Sequence, residues 1–126
     1  MENKVDPVTE DVTKRIIGCA FAVSRSLGHG FLESVYRNAL SLELIAEGLA
    51  VADEKPYPVH YRGERVGIYV ADIVVNDHVI VELKVAEALT AAHKSQLVNY
   101  LKASHLSVGL LMNFGKPRVE IRRVIL

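Results

Sequence analysis

The sequence predicts an α+β domain, within the broad α/β class, whose mixed central β-sheet is flanked by helices in the order ααβββαββ. Two segments with apolar residues at helical spacing come first, then three β-branched segments with short turns, then a third helical segment that leads into an apolar strand. An antiparallel meander followed by a crossover helix gives a sheet of mixed direction. The chain has 126 residues, which suits one core, so we assign 1–126 to a single domain.

Three helices are expected. The first runs from Asp6-Pro7 to Leu27, because Asp is a favoured N-cap, Pro suits the first turn, and Gly28-His29-Gly30 follows. The second spans about 31–47 and the third about 88–104, with Thr90 as a candidate cap. The apolar face of the second helix is predicted to comprise Leu32, Val35, Ala39, Leu42 and Ile45 or Ala46.

Five strands are expected, at 49–62, 66–75, 78–85, 106–114 and 118–126. Pro56 and Pro58 confine the first strand to an edge or a bulge, because proline cannot donate to the ladder. Arg62-Gly63-Glu64 indicates a hairpin turn. The fourth strand is apolar throughout and is therefore predicted to lie inside the sheet.

Three ionisable residues interrupt the apolar hairpin 70–86. They are Asp72, Glu82 and Lys84, and an unpaired charge costs several kcal/mol, roughly, to bury. Glu82 and Lys84 are two residues apart, so they share a strand face. Asp72 lies opposite Glu82 if the loop has the three residues 76–78, and a two-residue turn would place it opposite Val81, so a site here predicts a three-residue loop or a bulge. Three-residue hairpin loops commonly have a left-handed last position.

Other candidate residues lie on the helices, and each also has a structural interpretation. Glu33 can complement the positive end of the second helix, and Tyr36 can be an amphipathic ring at the core edge. His93, Gln96 and Tyr100 are three and four residues apart, so they project together, either as part of a site or as a solvated polar face.

These residues resemble the motifs of a known family. Asp72 followed by Glu82-Leu83-Lys84 is similar to the D…E-x-K pattern of the PD-(D/E)XK nuclease superfamily, although Ala71 stands where the superfamily name has proline. Residues 30–36, G-F-L-E-S-V-Y, match the motif of its GxxExxY branch, and Gln96 to Tyr100 resembles Q-x-x-x-Y. The resemblance extends from Ile16 to the end, includes L-L-M-N-F-G at 110–115, and implies a restriction-endonuclease-like fold.

The resemblance also implies a nuclease that uses Mg²⁺ or Mn²⁺, hard cations that prefer oxygen ligands. Asp72, Glu82 and the Leu83 carbonyl would bind the metal, and Glu33 would add a ligand directly or through water. Lys84 would orient the attacking water or stabilise developing charge, and Gln96 would hold that water or a phosphate oxygen. The candidate substrate-binding residues are Tyr36, His93 and Tyr100, with helix-surface packing as the simpler role for His93.

Composition limits the partners without choosing one. The net charge is zero, which argues mildly against a nucleic-acid partner, and the single cysteine, Cys19, excludes an internal disulfide. We see no secretory signal and no apolar run near ~20 residues, so we expect a cytoplasmic protein without membrane contact. DNA is the expected partner; a silent module that binds nucleic acid or protein, a small-molecule phosphodiesterase, and a homodimer or larger complex stay open. The basic residues Lys116, Arg118, Arg122 and Arg123 are a solvated face or a phosphate-contacting patch.

Overall fold

The computed structural model describes residues 5–126 and has the predicted order of elements. The first four residues, which enter the single-domain assignment and the expected absence of a secretory signal, lie outside the described range. The helices are α1 (Pro7–Leu27), α2 (Glu33–Ala46) and α3 (Ala91–Ser104). The strands are β1 (Val51–Tyr61), β2 (Glu64–Val75), β3 (Val79–Lys84), β4 (Val108–Asn113) and β5 (Glu120–Ile125).

The five strands form one sheet in the order β1-β2-β3-β4-β5. The pairs β1–β2, β2–β3 and β4–β5 are antiparallel, whereas β3 and β4 are parallel because α3 carries the chain across between them. The predicted mixed sheet is therefore confirmed. Strand β1, which contains both prolines, is an edge strand, and the apolar strand β4 is interior.

Helices cover both faces of the sheet. On one face α1 and α2 pack over a large core that includes Ile16, Leu40 and Leu83. On the other face Leu97 and Leu101 of α3 pack in a smaller cluster. The close approach of α3 depends on Gly109 of β4, because a Cβ there would lie 2.8 Å from the Leu97 side chain. No helix in the described part of the chain is long and apolar enough to cross a membrane.

The helix ends follow the sequence signals closely. Asp6 caps α1 by accepting a hydrogen bond from the Thr9 N–H (2.8 Å), as predicted. Thr90 caps α3 in a capping box: its hydroxyl oxygen accepts from the His93 N–H (3.2 Å), while its own N–H donates to His93 Nδ1 (3.1 Å). Both predicted caps are confirmed.

The predicted apolar face of α2 is wrong. The helix buries Tyr36, Leu40 and Leu44 at four-residue spacing, together with Ser41, whereas Leu32, Leu42 and Ile45 are exposed. Two contacts set this rotation. The Tyr36 ring stacks on Phe114, with centroids 4.9 Å apart, and the Ser41 hydroxyl donates to Asp53 of β1 (2.6 Å).

Candidate active site

The β2–β3 loop fixes the register of the candidate site. Val75 pairs with Val79 and Ile73 with Val81, so the loop is the three-residue 76–78. The next residues along this register are Asp72 and Glu82, which confirms the predicted juxtaposition. The left-handed positions are Asn76 (φ 52°) and Asp77 (φ 53°), not the last loop residue as expected. Asn76 is held there by the Ala50 N–H, which donates to its side chain (2.7 Å).

Strands β2 and β3 separate beyond the pair of Ile73 and Val81. The gap between them, which we call the fork, is filled by the carboxylates of Asp72 and Glu82. Glu82 Oε2 accepts the Asp72 N–H (2.9 Å), and Asp72 Oδ2 accepts the Leu83 N–H (2.9 Å). Each side chain thus binds the backbone of the opposite strand in place of a ladder hydrogen bond. This reciprocal pair holds both carboxylates at fixed positions next to each other.

A backbone carbonyl faces the same fork. The Lys84 carbonyl accepts the Phe114 N–H at the end of β4 (2.9 Å), so it points toward β4. Because successive residues of a strand point their backbone groups to opposite sides, the Leu83 N–H and carbonyl both point toward β2. The Leu83 carbonyl therefore lies on the same side of β3 as the Asp72 carboxylate.

Burial and mutual repulsion oppose ionisation of the carboxylate pair. Burial, and then the charge of Asp72, raises the pKa of Glu82 to about 8, and only 3% of this residue is exposed. Burial also raises the pKa of Asp72, although the Leu83 N–H and the Lys84 ammonium act in the opposite direction. Near neutral pH the pair needs a proton or a cation to offset its charge.

Glu33 lies near the pair without joining it as a third ligand. It is the first residue of α2 and is exposed. Packing around it and then the charge of Asp72 raise its pKa, whereas Lys84 and Arg37 lower it. Within residues 5–126, no group of three His, Cys, Asp or Glu side chains is arranged to hold a metal ion. Direct coordination by all three carboxylates is therefore not formed in this part of the chain, and a contact of Glu33 through water, the other expected arrangement, stays a prediction.

Lys84 is oriented by Gln96. The Lys84 ammonium donates to Gln96 Oε1 (2.8 Å). The side-chain amide of Gln96 on α3 thus holds the ammonium of the lysine that lies two residues after Glu82 on β3. The Oε1 atom of Gln96 thus has a partner within the protein, and the expected contact of this amide with water or a phosphate oxygen stays a prediction. A half-buried Lys84 and an exposed Gln96 make this contact at the surface beside the fork.

The three candidate substrate-binding residues have different surroundings. Tyr100 lines a cleft beside Gln96, and burial followed by the charges of Glu82 and Asp72 raises its pKa to about 12. Tyr36 is fully buried, and its hydroxyl donates to the Gly28 carbonyl (2.8 Å), so the expected contact with substrate is corrected to a role in the core. His93 Nδ1 accepts the Thr90 N–H in the cap of α3, and the expected phosphate contact of this residue stays a prediction.

Sequence reasoning missed Asn113 as a supporting residue. This fully buried side chain at the end of β4 accepts the Ala86 N–H (3.0 Å) and donates to the Ala86 carbonyl (2.9 Å). It also accepts the Gly115 N–H (2.9 Å), and a Cβ on Gly115 would lie 2.6 Å from the Ala86 backbone. The chain just after Lys84 is thereby fixed. A lone amide in an apolar strand was the signal that could have revealed it.

The donor set fits a hard divalent cation. One oxygen of each carboxylate is used by the backbone, and no hydrogen bond within residues 5–126 engages Asp72 Oδ1 or Glu82 Oε1. Magnesium is usually held by one or two carboxylates and keeps several waters. Two carboxylates and a carbonyl at one fork meet that requirement without a third acidic side chain.

The forked sheet, with its paired carboxylates and the lysine that follows them, is the arrangement that the resemblance to the D…E-x-K pattern implies. The sequence profile of the PD-(D/E)XK nuclease superfamily matches residues 10–124, and the chain belongs to that superfamily. A solved structure titled "Crystal structure of SSO0001" is similar in fold, with a TM-score of 0.56 and 18% identity over 73% of this chain. The match spans 48% of that chain, about half of its length. No curated protein matches this sequence.

Proposed function

We propose that this protein is a Mg²⁺- or Mn²⁺-dependent nuclease that hydrolyses phosphodiester bonds of DNA. The observation that carries the proposal is the reciprocal pair of Asp72 and Glu82 across the fork, each held by the backbone of the opposite strand. A purely structural ion pair would place Lys84 against these carboxylates, whereas its ammonium donates to Gln96.

Asp72, Glu82 and the Leu83 carbonyl would hold the cation. When bound, a divalent cation there supplies Lewis acidity and lowers the pKa of water. The hydrogen bonds to the backbone hold the two buried carboxylates in one orientation, which fixes the positions of the oxygens that would bind the cation. The cation would replace the proton that burial otherwise favours on Glu82.

Lys84 supplies a positive charge that does not depend on the metal. Gln96 holds its ammonium at the edge of the fork, where it can stabilise negative charge that develops on the phosphate or orient the attacking water. Glu33 is exposed, and it lies close enough to Asp72 for the charge of Asp72 to raise its pKa. It would act on the cation through a water. We assign the chain to the GxxExxY branch on Gly30, Glu33 and Tyr36, with Tyr36 in a structural role.

A second candidate function is a silent module that binds a protein partner. It is favoured by two large apolar side chains one turn apart on the exposed side of α2, Leu42 (71% exposed) and Ile45 (57%). Exposed apolar groups of this size are common at protein interfaces. This candidate requires no cation and predicts no cutting by the isolated chain.

A cleavage assay tests the first proposal. Linear duplex, closed circular duplex and single-stranded DNA are incubated with Mn²⁺, Mg²⁺ or EDTA. We expect metal-dependent cutting by the wild type that is lost in Lys84→Ala and kept in Lys94→Ala, which removes an exposed lysine of the same helix as Gln96. Cutting in EDTA, or equal cutting by Lys84→Ala, would contradict the proposal.

A further inference from the structure

A cleft of about 640 Å³ lies between the outer half of β2 and α3. Its β2 wall is formed by Ile68, Tyr69 and Val70, and its α3 wall carries hydroxyl and amide groups. The polar residues of that wall are Ser95, Gln96, Asn99 and Tyr100. No charged residue of the described range 5–126 lines the cleft, although Gln96 at its inner end accepts a hydrogen bond from Lys84 of the candidate active site. The cleft is therefore neutral and reaches the candidate active site at Gln96.

Tyrosines are concentrated along this cleft. Tyr69 pairs directly across the strands with Tyr57, and its ring meets Tyr100 edge to face at 4.9 Å. Tyr61, 67% exposed, lies near the tip of the same hairpin. Tyr69 and Tyr100 thus line the cleft, with Tyr57 on the strand next to Tyr69 and Tyr61 farther along the hairpin. Half-buried aromatic rings next to open space are the usual platform for a nucleobase.

Cations lie at both ends of the cleft. Lys84 is at the inner end, and the hairpin tip carries Arg62 and Arg65, both exposed and neither in an ion pair within the described residues. The β2 segment from Arg65 to Asp72 spans about 23 Å at the usual rise per residue. A polyanionic backbone running along it would meet positive charge at each end, with its neutral bases over the neutral cleft.

We propose that this cleft binds an unpaired nucleobase against Tyr69 while the adjoining phosphate lies at the Asp72–Glu82 fork, so that the substrate is a strand with unpaired nucleotides. This proposal rests on the proposed nuclease function, and it restricts the expected substrate to DNA with unpaired nucleotides. The Asn99 amide and the Ser95 hydroxyl can pair with the polar edge of a base, which is free only when the base is unpaired.

Fluorescence anisotropy tests the assignment independently of cutting. A labelled 12-nucleotide single strand and its blunt duplex are titrated with protein in Ca²⁺. We expect tighter binding of the single strand, weakened by about five- to a hundredfold in Tyr69→Leu and retained in Tyr69→Phe, because loss of one base–aromatic stack costs about 1–3 kcal/mol. Phe21→Leu, which removes a half-buried ring on the opposite face of the sheet, should leave binding unchanged.

The outcomes separate this assignment from the proposed hydrolysis. Equal affinity for the two DNAs, or unchanged affinity in a folded Tyr69→Leu, overturns the cleft assignment even if the wild type cuts DNA. Single-strand binding that Tyr69→Leu weakens supports the cleft even if nothing is cut, and only the hydrolysis then fails. If Tyr69→Leu does not fold, Asn99→Ala, which changes an exposed residue of the same cleft, must weaken single-strand binding severalfold or the assignment falls.

Discussion

Gln96 Oε1 accepts a hydrogen bond from Lys84 Nζ at 2.8 Å, which ties the lysine of β3 to the helix that crosses over the sheet. A lysine side chain has several accessible rotamers, and this contact selects one of them. We therefore propose that Gln96 is a positioning residue for the lysine of the candidate active site, while the contact with water or phosphate that the resemblance implied stays a prediction.

Removal of the amide should reduce cleavage without unfolding the protein. We predict that Gln96→Ala lowers the single-turnover rate by about ten- to a hundredfold, the range found for partners that orient site groups. The melting temperature should change little, because Gln96 is exposed. Gln96→Glu, which can still accept from Lys84, should restore part of the rate, and Lys102→Ala on the same helix should have none of these effects. A rate loss matched by unfolding would contradict a positioning role.

Stability of the metal-free protein should fall as the pH rises from about 5 to 8. The unfolded chain releases the Glu82 proton near its ordinary pKa of 4.5, whereas the folded protein retains it to about 8. The free energy of unfolding then decreases through this window by roughly 3 kcal/mol and levels off above it. Denaturant titrations at several pH values measure the slope. Glu82→Gln should remove most of it, and Glu87→Gln, at an exposed position, should leave it as in the wild type.

Metal binding should release a proton. Because the pKa of Glu82 is about 8, a cation that binds the ionised pair at pH 7 displaces close to one proton, and its affinity should increase with pH up to about 8. Calorimetric Mn²⁺ titrations in two buffers of different ionisation enthalpy measure this number. Asp72→Asn should abolish the binding. Uptake without proton release, or with the same affinity at pH 6 and pH 8, would mean that the cation binds elsewhere.

Tyr36→Phe tests the corrected role of this tyrosine. The hydroxyl donates to the Gly28 carbonyl (2.8 Å) and accepts the Phe31 N–H (3.3 Å), while the ring stacks on Phe114. Loss of the hydroxyl should reduce the free energy of unfolding by about 1–2 kcal/mol. The cleavage rate per folded molecule should not change. A large rate loss at unchanged stability would place Tyr36 in contact with substrate after all.

Gly109 should be intolerant of a side chain. A Cβ there would approach the Leu97 Cδ1 atom to 2.8 Å and push α3 away from β4. We expect Gly109→Ala to destabilise the protein by about 1–3 kcal/mol, as overpacked cores do. Leu97→Val in the same chain should recover part of the loss, which a double-mutant cycle in denaturant would measure.

The sequence was sufficient to predict the fold and the position of Asp72 opposite Glu82. Some of its residues act on their own segment of the chain, so a local pattern predicts their effect: the caps Asp6 and Thr90, and the two prolines of β1. The opposition of Asp72 and Glu82 follows from counting three loop residues, because a hairpin register is fixed by its loop length.

The remaining features depend on contacts between distant segments. Helix α2 carries apolar residues on several sides, so its pattern alone cannot choose a face; Phe114, far along the chain, selects Tyr36. The contact of Gln96 with Lys84 depends on where the crossover helix lies over β3. The backbone hydrogen bonds of Asp72 and Glu82 exist only because β2 and β3 separate at that point.

The most direct test of the central claim measures Mn²⁺ occupancy and DNA cutting in one titration. Mn²⁺ is added to the wild type, Asp72→Asn and Asp53→Asn, with bound Mn²⁺ followed by electron paramagnetic resonance and cleavage followed on gels. Asp53 lies on β1 and accepts from Ser41, so its variant is a control for loss of one carboxylate outside the fork. We predict that the wild type and Asp53→Asn bind Mn²⁺ and cut DNA over the same concentration range, and that Asp72→Asn does neither. Cutting by Asp72→Asn at the wild-type rate would contradict the account.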